Sequence, residues 1–127
     1  MEHMTPYLST KEAAKAIEFY GRAFGATTKH EPVVMPDGRV GHAELAIGTA
    51  TFMLADEFPE IDYVSPVSQG GGSVQLMLTV DDPDAVFERA VQAGAHPVEP
   101  VTLKDYGARM GRLTDPFGHS WQITSAF

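Results

Sequence analysis

His42 and Glu44 are the residues whose types and spacing come nearest to acid–base chemistry. Two positions apart on a strand-like run, they place an imidazole and a carboxylate on one face, while Ala43, Leu45 and Ile47 take the other. Such a pair can act as a base and its partner, supply two metal ligands, or hold itself in a structural hydrogen bond. No H-E-x-x-H spacing accompanies it to favour a metal.

A second group alternates along two further strand-like runs. Gln75, Met77 and Thr79 interleave with Val74, Leu76, Leu78 and Val80, and Gln122 and Thr124 interleave with Trp121 and Ile123. With the aliphatic set against helices, the amides, hydroxyls and polarizable Met77 line a concave surface suited to an adaptable ligand pocket; the plainer outcome is a cup filled by its own side chains. Tyr7 shares its parity with Thr5 and joins that lining. His119 follows the turn sequence Asp115-Pro116-Phe117-Gly118, where a histidine fixes the turn through backbone contacts more readily than it carries protons. Trp121 falls on the core parity. Arg109 and Arg112 offer guanidinium groups to an anion, or stand as exposed arginines without a role. A phosphate loop and a Gly-x-Ser-x-Gly elbow are both missing, and no catalytic residue is assigned.

These residues need elements to position them, and the elements come twice. Gly25-Ala26 and Gly94-Ala95 each close a helical pattern at an offset of 69 (94 − 25). Gly48 and Gly118 each separate two strand-like runs at an offset of 70 (118 − 48), and Arg39-Val40-Gly41 matches Arg109-Met110-Gly111 at 70 (109 − 39). The chain reads as two copies of one unit, strand, helix and three strands. In the first copy a strand ends at Tyr7-Leu8-Ser9, and Ser9 and Glu12 have capping-box spacing. Ala13, Ile17, Tyr20 and Phe24 then recur at helical spacing up to Gly25. Strands follow over Thr28–Met35, Arg39–Ile47 and Thr51–Ala55. In the second copy Val74–Val80 is the strand and Asp82-Pro83 opens a helix striped by Val86, Ala90 and Ala93. Strands over His96–Val101, Arg109–Asp115 and Ser120–Thr124 complete it. The expected bounds are residues 4–57 and 73–127, joined by a Pro-, Ser- and Gly-rich mobile loop that also has the reach to cover a ligand.

Composition narrows the function. A chain of 127 residues that is 43% hydrophobic and 20% charged forms one ordinary domain. Nine Lys and Arg against seventeen Asp and Glu, a net charge of −8, argue against nucleic acid and against anionic membranes as partners. Cysteine is absent, which removes disulfides and thiolate chemistry and fits a cytoplasmic location. No apolar run approaches the roughly 20 residues that span a bilayer.

Thr5-Pro6-Tyr7-Leu8, Ile17-Glu18-Phe19-Tyr20, Phe24-Gly25-Ala26, Gly41-His42-Ala43-Glu44-Leu45 and Asp115-Pro116-Phe117-Gly118-His119-Ser120-Trp121 together resemble the PhnB-like branch of the vicinal oxygen chelate superfamily, which includes glyoxalases, bleomycin-resistance proteins and dioxygenases. The resemblance implies an α+β fold of two βαβββ modules, a curved mixed eight-stranded sheet forming a cup, with helices outside. It also implies a homodimer, and metal ligands on the first and last strand of each module. Those positions hold Thr5, Phe52 or Met53, Gln75 and Gln122, a set short of the charge and imidazole nitrogen that a divalent ion requires. The expectation is therefore a protein without metal or other cofactor. It would bind a small molecule through Tyr7, His42, Glu44, Gln75, Met77 and Gln122, for example sequestering an aromatic or hydrophobic compound such as an antibiotic. The alternatives are a metal-dependent lyase, isomerase or dioxygenase that recruits His42 and Glu44 as replacement ligands, and a metal-free acid–base enzyme built on the same pair.

Overall fold

Apolar residues between Ala13 and Phe24 fall on one side of a helix, α1 (Ala13–Phe24), and its Ala13, Ala16, Phe19, Tyr20, Ala23 and Phe24 are buried in the computed structural model, which describes residues 1–127. Gly25 ends α1 in the left-handed conformation (φ 71°), where its N–H reaches the Gly21 carbonyl. The start differs from the capping box expected of Ser9 and Glu12. Strand β1 (Tyr7–Thr10) runs through Ser9, which is buried in it, and Glu12 makes no side-chain cap bond. The cap comes instead from Asp56, whose carboxylate accepts the N–H groups of Ala13 (2.8 Å) and Val40 (2.7 Å). Asp56→Ala strands both donors, and a loss of about 1–2 kcal/mol is expected in urea denaturation. The long helix of the second module, α3 (Pro83–Ala93), starts as its sequence says, with the Asp82 carboxylate accepting from Ala85 N–H (3.2 Å) and Pro83 in the first turn.

The strands of the first module are β1, β2 (Thr27–Thr28), β3 (Val33–Val34), β4 (Val40–Ile47) and β5 (Ala50–Asp56), in the order β1-β5-β4-β2 with β3 also paired to β4. Those of the second are β6 (Gln75–Thr79), β7 (His96–Leu103), β8 (Arg109–Thr114) and β9 (Ser120–Thr124), in the order β6-β9-β8-β7. β1 runs parallel to β5 and β6 parallel to β9, and all other pairings are antiparallel. This is the expected pair of βαβββ units with mixed sheets and outer helices. Two features depart from the sequence reading. The single strand expected over Thr28–Met35 is split into β2 and β3 by irregular residues 29–32, with both pieces held on β4. The segment between the modules is not featureless, since it contains a 3₁₀ turn at Pro59–Ile61, a bridge between Phe58 and Tyr63, and a one-turn helix α2 (Pro66–Gln69) capped by Ser65. No helix is long and apolar enough to cross a membrane.

One core serves both modules. Phe24 packs on Trp121 (4.8 Å between ring centres), Tyr20 on Phe52 (5.3 Å), and Phe19 on Phe117 (6.0 Å). Buried among these rings, the Asp115 carboxylate is the polar centre of the junction. One oxygen accepts the Tyr20 hydroxyl (2.5 Å) and the Trp121 indole N–H (2.9 Å), and the other accepts the backbone N–H groups of Phe117 (2.9 Å) and His119 (3.0 Å). Burial, and then the neighbouring Asp115, push the Tyr20 phenol well above its usual range. Two more links cross the junction. Arg89 Nε donates to the Arg22 carbonyl (2.6 Å) at the end of α1, and His119 Nε2 lies 2.9 Å from the Ser9 carbonyl.

Candidate functional site

The alternation read in β4 holds. Ala43 and Leu45 are buried in the core, and His42 and Glu44 lie half-buried on the opposite, open face. No hydrogen bond joins them. Each finds another partner. His42 Nδ1 is 2.8 Å from the Tyr7 hydroxyl, which arrives from β1 across β5. Glu44 is 3.1 Å from Lys29 Nζ and 3.7 Å from His30 Nε2, and hydrogen bonding to Lys29 holds its carboxyl below the usual range. Tyr63 stands edge-on to Tyr7 (6.1 Å) and donates its hydroxyl to the Leu8 carbonyl (2.8 Å). Burial raises the pKa of both phenols.

In the second module Gln75, Met77 and Thr79 are exposed and Leu78 is buried, as the parity of β6 requires. Gln122 on β9 is half-buried and donates its amide to the Gln75 carbonyl oxygen (2.7 Å). Thr124, expected beside it on the open face, is instead fully buried, and its hydroxyl donates to the Ser125 carbonyl. It lies on β9 between Thr79 of β6 and Met110 of β8. Arg109 is held by both oxygens of Asp84 (2.9 and 2.8 Å), and Arg112 lies 3.4 Å from Glu99, which also pairs with Lys104. His119 makes a backbone contact, as expected of a turn histidine, but to β1 of the other module. Trp121 is core.

The two trios named from sequence therefore sit on separate sheets, each tied internally, Tyr7 to His42 and Gln75 to Gln122. Two clefts lie where the modules meet. One, of about 310 Å³, is lined by Tyr7, Ser9, Tyr63, Leu76 and His119 among others. The other, of about 200 Å³, has apolar walls of Pro6, Ile47, Phe52, Leu78 and Trp121, with Gln75 and Met77 beside them. His42, Glu44 and Gln122 line neither. Pro6 and Tyr63 were not singled out from sequence. Tyr63 lies in the inter-module segment, whose composition gives no face to count along.

The structure also resolves the first- and last-strand positions. Phe52 is in the core, so Met53, paired with Tyr7, is the open-face residue of β5. Thr5 precedes β1 and is exposed. A thioether, a hydroxyl and two amides already bonded to each other do not fit a catalytic divalent ion.

The sequence matches the model of the Glyoxalase/Bleomycin resistance protein/Dioxygenase superfamily over residues 1–123. It is 42% identical over 123 residues to an uncharacterized protein of Mycobacterium tuberculosis, covering 94% of this chain and 72% of that one. The structure resembles that of TioX from Micromonospora (TM-score 0.73, 29% identity, 99% of this chain and 97% of that one). A PhnB protein from Bacillus cereus has the same fold (TM-score 0.75, 21% identity, 98% of this chain and 100% of that one).

Proposed function

Because the chain belongs to the glyoxalase/bleomycin resistance protein/dioxygenase superfamily, we propose that it binds a small aromatic or hydrophobic molecule, an antibiotic being one such compound, without the metal centre of the first- and last-strand positions. The observation that carries this reading is the side-chain set at those positions, where Met53, Gln75 and Gln122 offer no charge and no imidazole. Beside them lie ligand-like surfaces. Tyr7 and Met77 are 44% and 50% exposed, and the apolar cleft next to Gln75 and Met77 is walled by Phe52 and Trp121. Burying a flat ring against such walls provides affinity, and amides at the rim set its orientation. Tyr7, His42, Glu44, Gln75, Met77 and Gln122 are the proposed contacts, brought to one ligand by a homodimer that sets the open face of one module against another. The net charge of −8 favours neutral or cationic ligands.

Acid–base catalysis by His42 and Glu44 as a base and its partner has less support, because Glu44 pairs with Lys29 and His42 with Tyr7, and not with one another. The reading is tested with planar aromatic probes of both charges, proflavine and anilinonaphthalene sulfonate, following the fluorescence of Trp121, the single Trp, and the melting temperature. Proflavine at a hundredfold excess over its Kd should add about 2.7 kcal/mol of stability, with weaker binding to Met77→Ala. Absence of both quenching and stabilisation with either probe would refute the proposal.

A further inference from the structure

We propose that His30, His42 and Glu44 form a binding site for a borderline divalent cation such as zinc, nickel or cobalt, on the open face of the first module and apart from the family's first- and last-strand positions. One potential donor atom from each residue lies within 4.8 Å of the other two. Bonds of about 2.0–2.2 Å to a common ion bring donors to roughly 3–4 Å from one another, so a small rotation of the half-exposed His30 closes the set.

The backbone explains why the three converge. His42 and Glu44 share a face of β4, and His30 comes from the irregular residues 29–32 that split the expected strand. That segment is anchored to β4 at both ends, Thr28 opposite Leu45 and Val33 opposite His42. The rings of His30 and His42 consequently lie nearly parallel, 12° between planes and 5.7 Å between centres.

Hydrogen bonding leaves donors free. His30 Nδ1 faces the Glu31 carbonyl (3.1 Å), which only accepts, so the ring proton sits on Nδ1 and the lone pair on Nε2. That nitrogen is 3.7 Å from Glu44 Oε1, too far for a hydrogen bond. His42 Nδ1 meets the Tyr7 oxygen, and Tyr7 has the Gly41 carbonyl (3.4 Å) for its own proton. In the tautomer with its proton on Nδ1, His42 donates to Tyr7, Tyr7 donates to Gly41, and His42 Nε2 is free to ligate, an arrangement typical of a ligating histidine and its supporting partner. Lys29 occupies Glu44 Oε2 and keeps the carboxylate ionised, leaving Oε1 on the histidine side. Two imidazoles and one carboxylate suit zinc, nickel or cobalt better than magnesium or calcium, and three protein ligands leave a position for water or a ligand oxygen.

The test is calorimetric titration of the full chain with zinc and with magnesium, and cobalt titration followed by visible absorption. One zinc or cobalt per chain is expected, with no magnesium binding at the same concentrations. His30→Ala, at an exposed position that does not threaten folding, should weaken zinc at least tenfold, as should Glu44→Gln. Tyr7→Phe, which removes only the supporting partner, should weaken it about tenfold. Failure of the wild type to bind zinc more tightly than His30→Ala would overturn the proposal, as would binding that is lost instead in His3→Ala, at an exposed histidine before β1 and outside the cluster. Proflavine binding near Trp121 is read separately, so this site and the proposed ligand cleft can fail independently.

Discussion

Asp115→Asn is expected to destabilise the protein by about 2–6 kcal/mol, a large share of the roughly 5–15 kcal/mol that holds a domain together. The carboxylate accepts four hydrogen bonds, two on each oxygen, from Tyr20 and Trp121 on one side and from the N–H groups of Phe117 and His119 on the other. An amide keeps the shape but replaces one oxygen by a donor. Whichever way it turns, two buried donors then face an NH₂ group, and each orphaned donor costs about 1–3 kcal/mol. Tyr20→Phe removes one bond and leaves no donor orphaned, so about 1 kcal/mol is expected. Urea denaturation of the two variants should rank Asp115→Asn well below Tyr20→Phe. Equal losses would show that the carboxylate is not the organising group.

Gly111→Ala is expected to lose about 3 kcal/mol. A Cβ there would stand 2.8 Å from Val101 Cγ2, 2.9 Å from the Val101 backbone nitrogen and 3.0 Å from the Glu99 carbonyl oxygen. Two of those atoms belong to the backbone of β7, which slips register against β8 between Glu99 and Thr102 and has no side-chain rotation to offer. Gly41, its counterpart in the first module, is the control. Its Cβ would crowd Met35 Sδ (2.7 Å) and Cγ (3.1 Å), the flexible end of a methionine, and meet the Val33 carbonyl oxygen at an ordinary 3.8 Å, so Gly41→Ala should lose under 1.5 kcal/mol. Thermal or urea melts of the pair, read side by side, check the contrast.

The fold was legible because its signals are local. Two closing glycines, the Asp82-Pro83 helix start and the alternation around His42 and Gln75 each follow from a few neighbouring residues, and all of them stand in the structure. What escaped depends on distant partners. Nothing near Ala13 shows that Asp56 will cap α1 from 43 positions away. Thr124 has the parity of Gln122 on the same strand, yet it is fully buried where Gln122 is half-buried. The candidate site was half legible for the same reason. His42 and Glu44 stand out on one strand, whereas His30 lies in residues 29–32, an irregular stretch without a period, and reaches them only because β2 and β3 dock on β4. That Glu44 pairs with Lys29 and His42 with Tyr7, rather than with each other, likewise required the neighbouring strands in place.

At the offset of 69 that relates the two helices, the counterpart of Tyr20 is Arg89, and at the offset of 70 that relates the hairpins, the counterpart of Asp115 is Leu45. Tyr20 reaches into the second half for its carboxylate, while Arg89 reaches into the first for a main-chain oxygen. The duplicated halves have thus become plug and socket. A chain assembled from two first halves would seal two phenols against leucine with nothing to receive their protons, and one assembled from two second halves would enclose two carboxylates without a phenol. Neither half can stand in for the other.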